Sequence, residues 1–250
     1  MIDAQDLFDT YRFVESAALY EQQLAKGIGN PIANKGGLAA AFMAIGRYAD
    51  AMPLLEEVGE YEKRRVRGSA GQDDDIAVCR WICGDRAGAL EMARALVRGV
   101  GKGTVQFAPD LAGGVSYGVL LYYMALSLPS QPDVDLSLSF LRGRTKAKKS
   151  SPWPMPVAQF LLGQLIFPEM LAAGFGTPSL DRVKRSATND LLTLRQLTNA
   201  LFAMALHCRA AGDEAECLKW FNECAGLVNP LIEPGWHLAK AEVARSGQAR

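Results

Sequence analysis

At three expected turns of the chain a glycine is followed, five residues later, by a small side chain. Each instance falls where one apolar periodicity stops and another starts. Gly46 precedes Ala51 in AIGRYADA, Gly84 precedes Ala89 in CGDRAGA, and Gly212 precedes Cys217 in AGDEAEC. A glycine permits a sharp chain reversal, and the small residue lets the returning helix pack closely on the one before it. The pattern predicts stacked helical hairpins.

The segments between these turns have helical spacing. Leu7, Tyr11, Val14 and Ala18 recur at three and four, and Gly27 after Lys26 marks a stop. That predicts one helix ending near Lys26. Pro31 starts a second, which runs to Ile45, and a third spans Tyr48 to Arg65. Pro53 fits that third helix only in its first turn, where no hydrogen-bond donor is lost. Shorter helices are expected at 74–83 and at 85–98, the latter with Asp85 as N-cap. After the glycine-rich GVGKG come 114–128, a segment capped by Asp133 and reaching Leu141, 156–165 and 168–173. The last three are 189–211, 213–227 and 235–245. No alternating strand pattern of useful length interrupts them. The expected fold is all-α, an irregular helical-hairpin solenoid of about twelve helices forming one domain over 1–250.

Composition narrows the function classes. The chain is 49% hydrophobic and 22% charged, which suits an ordered globular protein. Its 27 basic residues balance 27 acidic ones, so no global charge draws it to nucleic acid or anionic lipid. The start MIDAQDLFDTYRF has acids where a secretory signal carries bases. Five scattered cysteines do not form a disulfide framework, and the expected location is the reducing cytoplasm. The uncharged stretches 111–128 and 150–168 are broken by glycines, prolines and glutamines, and read as buried helices rather than membrane spans.

Catalytic patterns are thin. Only His207 and His237 are present, and no HExxH, GxSxG or Walker motif occurs. His207 and Cys208 are helix neighbours whose side chains point about 100° apart, so they do not make a base–nucleophile pair. Cys79 shares a helical face with Cys83, and Cys217 with Cys224, without the CxxC pairs of a zinc site; small cysteines suit close helix packing. GVGKGT (99–104) lacks phosphate-loop spacing and follows a helix. No enzyme activity, metal or cofactor is expected.

Charge clusters are more informative. Arg142, Arg144, Lys146, Lys148 and Lys149 crowd one loop, and Lys63, Arg64, Arg65 and Arg67 another. Neither carries the interleaved aromatics of a base-stacking surface, and cations at a helix C-terminus already favour its dipole. Asp73, Asp74 and Asp75 precede or open a helix, where acids are stabilising; one of them can occupy the N-cap, which leaves the others for a basic partner.

The hairpin units near 31–60, 72–100 and 195–230 resemble tetratricopeptide repeats. They depart from them at Lys35 and Ala39, which stand where the signature tryptophan and glycine would be. A narrower resemblance is carried by DLAGGVSYGVLLYY (110–123) and WPMPVAQFLLGQ (153–164), which look like helical-repeat immunity proteins of bacterial polymorphic toxin systems. The resemblance implies a non-enzymatic inhibitor that neutralises a cognate toxin protein by steric occlusion. The partner-binding residues expected from it and from the charge pattern are Asp73, Asp74, Asp75, Asp110 and Trp153; Trp153 is also explained as a staple over a helix end. The alternative is a repeat-type scaffold or secretion chaperone holding a client peptide in its groove.

Overall fold

A computed structural model describes residues 3–106, 114–146, 153–227 and 233–248. Among them lie fourteen α-helices and no β-strand, packed as sequential antiparallel pairs. The chain divides into two compact units, 1–92 and 93–250.

In the first unit, α1 (Ala4–Asp9) and α2 (Phe13–Lys26) occupy the stretch expected to be one helix. The break is at Tyr11, a non-glycine residue with φ 63°. Its N–H donates to the Phe8 carbonyl, and that of Arg12 donates to Leu7, which closes the first helix. α3 (Pro31–Ala44) is capped by the Asn30 side chain and has Pro31 at its first position, as expected. α4 (Tyr48–Arg65) has the expected bounds, but Pro53 lies inside it rather than in its first turn. The helix there gives up one backbone bond and continues on its packing against α3 and α5. α5 (Asp73–Ile82) follows, and α6 (Arg86–Gly101) begins at the hairpin turn, with Asp85 accepting from the Gly88 N–H at 2.9 Å.

The second unit holds α7 (Val115–Ser127), α8 (Gln131–Arg144), α9 (Met155–Leu161) and α10 (Phe167–Phe175). It continues with α11 (Leu180–Ala187), α12 (Leu191–Ala210), α13 (Glu214–Ala225) and α14 (Pro234–Gln248). α12 is its hub, packing on α13 and α11 and touching α7, α9, α10 and α14. Accordingly Leu197, Ala200, Leu201, Ala203, Ala205 and Leu206 are wholly buried, which makes α12 apolar on nearly every side. Asp133 does not cap α8. It lies in the first turn, where Arg94 grips it through two contacts of 2.7 Å and the Ser130 hydroxyl donates to it.

The hairpin turns are as the spacing predicts. Gly46, Gly84 and Gly212 have φ of 85°, 101° and 77°, a region that side chains disfavour. Ala51, Ala89 and Cys217 are each fully buried. Two helices exceed the expected twelve: the split first segment supplies one, and α11, capped by the Ser179 side chain, supplies the other. No helix of the described residues is long and apolar enough to cross a membrane.

Candidate partner-binding surfaces

In the first unit, two glycines bring the segment before α5 against α4. A side chain at Gly71 would meet the Gly59 carbonyl at 2.8 Å, and one at Gly59 would meet the Gln72 nitrogen at 3.1 Å. The close approach lets the Gln72 amide donate to Glu62 and leaves a groove of about 320 Å³ beside it. Buried Ile76 and half-buried Met92 give the groove apolar surface, and Glu56, Glu60, Lys63, Asp73 and Arg80 supply its charge. Lys63 pairs with Asp73 at 2.5 Å, and Arg80 lies 3.5 Å from Glu56 and 3.6 Å from Asp85. Glu60 is exposed and has no ion pair among the described residues.

This arrangement redistributes the acids singled out in the sequence. Asp73, Asp74 and Asp75 are the first three residues of α5, and none is its N-cap; that position belongs to Gln72, whose side chain caps nothing. Expecting one of the three at the cap was wrong because α5 begins one residue earlier than its spacing indicated. All three still lie where the helix dipole favours anions. Asp73 reaches the groove, Asp74 is half-buried, and Asp75 is buried, so the triplet does not project as one patch. Asp110 lies outside the described residues. Glu60 was not singled out; its signal was the acidic row Glu56, Glu57, Glu60 at helical spacing on α4.

In the second unit, Trp153 is 6% exposed and lies 5.2 Å from the Phe175 ring. Gly174 exists at its position because a Cβ there would stand 2.4 Å from the indole. Trp153 is thus a staple, and its buried indole N–H has no hydrogen-bond partner among the described residues. Phe175, which it supports, faces a second pocket of about 270 Å³ together with Val183, Ser186, Thr193 and Gln196. α11 supplies one wall of that pocket, and the sequence reading left α11 out.

The five thiols and the His237 imidazole are held away from reactive states. Burial raises the thiols of Cys79, Cys83, Cys208, Cys217 and Cys224, that of Cys217 to about 11. Such thiols are protonated at neutral pH, whereas the thiolate is the nucleophile and metal ligand. Burial, with a contribution from Lys240, pushes His237 down to about 3. The Tyr123 hydroxyl donates to Glu242 at 2.6 Å, and Arg209 and Arg245 meet the same carboxylate at 3.2 and 3.1 Å. Burial alone would raise Glu242, but these partners hold it below the usual carboxylate range. Among the described residues no group of three or more His, Cys, Asp or Glu is placed to hold a metal ion. The basic clusters are partly engaged: Lys63 binds Asp73, and Arg65 and Arg144 cover the rings of Tyr61 and Phe140.

Fold and surfaces together show an all-α helical-hairpin protein that carries, among its described residues, a charged groove and an uncharged pocket. In comparisons with family models, with curated proteins and with solved structures, nothing matches the chain.

Proposed function

We propose that the chain is a non-enzymatic, protein-binding immunity protein that neutralises a cognate bacterial toxin by covering its active site or substrate surface. The observation that carries this reading is the groove on α4 and α5, in which apolar surface from Ile76 and Met92 is rimmed by Glu56, Glu60 and Asp73. A partner's lysine or arginine has an apolar stem for the floor and a charged head for the rim. Occlusion asks for a pre-formed surface rather than chemistry, and helical hairpins stacked on one another provide one. The buried thiols and the buried neutral imidazole support a binding role, which takes place in the cytoplasm without metal or cofactor.

The test is co-expression of the full chain with a toxin encoded beside it, followed by a pull-down and association rates at low and high salt. Exposed rim charges act mainly on the association rate. Glu60→Lys is expected to slow association at low salt and to weaken protection, while leaving the melting temperature unchanged. Unaltered association would remove the groove from the interface. A partner that is carried to a secretion apparatus and has no toxicity would replace the immunity reading with that of a secretion chaperone.

A further inference from the structure

The pocket in the second unit carries no ionisable side chain. Its apolar surface comes from Phe175 and Val183, and its polar surface from Thr177, Ser186, Thr193 and Gln196. A charged group entering it would lose water and find no counter-charge, which is costly. Among the described residues the one carboxylate that hydrogen-bonds to its lining is Asp190, which accepts from the Thr193 hydroxyl and from the Leu192 N–H and is thereby used in capping α12. Thr177 accepts from the Ser179 N–H at 3.3 Å, and its own hydroxyl proton remains available. The Ser186 hydroxyl and the Gln196 carboxamide make no hydrogen bond among the described residues. A carboxamide offers an acceptor and two donors, which is the complement of a peptide group.

Apolar surface continues beyond the pocket. Leu191 and Leu192 are each 46% exposed, and Leu192 lies one turn before Gln196 on the same side of α12. A volume of 270 Å³ falls just under the usual range for small-molecule sites, about 300–1,000 Å³, and suits a side chain with its adjoining backbone. The Trp153 staple fixes Phe175 from behind, so the apolar wall is pre-formed.

We propose that this pocket is a second docking point on the chain, occupied by an uncharged, extended segment of the partner protein. An apolar side chain of that segment lies over Phe175 and Leu192, and the neighbouring peptide group pairs with Gln196. The proposal rests on the chain being a partner-binding protein but not on the charged groove of the other unit.

The experiment selects short random peptides, displayed on phage, against the full chain. The winners are then titrated against the wild type, Ser186→Trp, Gln196→Leu and Glu60→Lys, each checked by its melting curve. Ser186 is exposed, so a tryptophan there fills the pocket from its open side. Uncharged peptides with one apolar anchor are expected. They should bind about tenfold more weakly to Gln196→Leu, the equivalent of about 1.4 kcal/mol for a lost amide pair, and not at all to Ser186→Trp. Glu60→Lys should leave their binding intact. Selection of charged peptides, of none, or of peptides indifferent to both pocket variants would overturn the proposal. So would a wild-type dimer that Ser186→Trp converts to monomer, since the face would then belong to a second copy of the chain. A failed selection alongside a toxin complex sensitive to Glu60→Lys would sink this pocket and leave the proposed function standing.

Discussion

His237 should make the fold acid-sensitive well before its carboxylates titrate. It is 4% exposed, and burial first, then the charge of Lys240, pushes it down to about 3, against 6.5 for an ordinary histidine. Above pH 6.5 the imidazole is neutral in both folded and unfolded chains and costs nothing. Below it the unfolded chain takes up a proton that the folded chain refuses. Stability present at neutral pH is therefore lost progressively as the pH falls from 6.5 towards about 3. The slope is about 1.4 kcal/mol per pH unit, so about 2 kcal/mol should be gone by about pH 5. Urea titrations of the wild type and of His237→Gln across that interval measure it. The variant's absolute stability will differ, because a buried side chain has been replaced, so the readout is the difference in slope. Parallel pH profiles would refute the reasoning, since they would show that His237 takes up its proton without unfolding the chain.

Gly84→Val should cost about 1–3 kcal/mol by urea denaturation. The cause is backbone strain at φ 101°, since a Cβ at Gly84 would meet nothing within 4 Å; an unchanged midpoint would refute the strain. Ala51→Trp should cost at least about 1–3 kcal/mol through overpacking at a fully buried contact, read from the same transition. Glu242→Gln should destabilise by about 3–5 kcal/mol, because it leaves Arg209 half-matched in a largely buried site. A thiol reagent should label Cys83, the exposed cysteine, in the native protein, and slowly, because its thiol is raised; the other four should react only on unfolding. Mass spectrometry of the labelled protein distinguishes them.

The hairpins were legible because their requirements are local. A reversal needs a positive φ, and Gly46, Gly84 and Gly212 announce it; the buried contact that follows needs a small residue, and Ala51, Ala89 and Cys217 announce that. Other features carry no such local mark or depend on partners distant in the chain. Tyr11 breaks the first helix with a side chain that rarely takes that conformation, so no glycine marks the break. α11 is eight residues long and follows the turn-rich segment GFGTPS (174–179), which hid it. Asp133 read as a cap because its binding partner, Arg94, lies 39 residues away. Of the candidate site, the acids of α5 were visible but their burial was not, since it depends on how α5 packs against its neighbours, α4 among them. Trp153 was read as a partner contact, with a staple over its own helix end as the alternative; the indole packs instead on Gly174 and Phe175 of α10, and the pocket beside Phe175 required α11.

The long-range ion pairs of the second unit have similar spans. Arg94–Asp133, Lys184–Glu223, Arg195–Glu233 and Arg209–Glu242 join residues 39, 39, 38 and 33 apart. That is close to the length of one two-helix unit. Seams lined by alanine and cysteine are chemically alike and would tolerate more than one order of stacking. The ion pairs make the orders unequal. A hairpin seated one place out of step would leave Asp133 or Glu233, whose side chains are only 5% exposed, without a cation, at about 3–5 kcal/mol for each stranded charge. They work as keys cut for one neighbour. A hairpin gained or lost in the history of such a chain must carry both halves of a key with it.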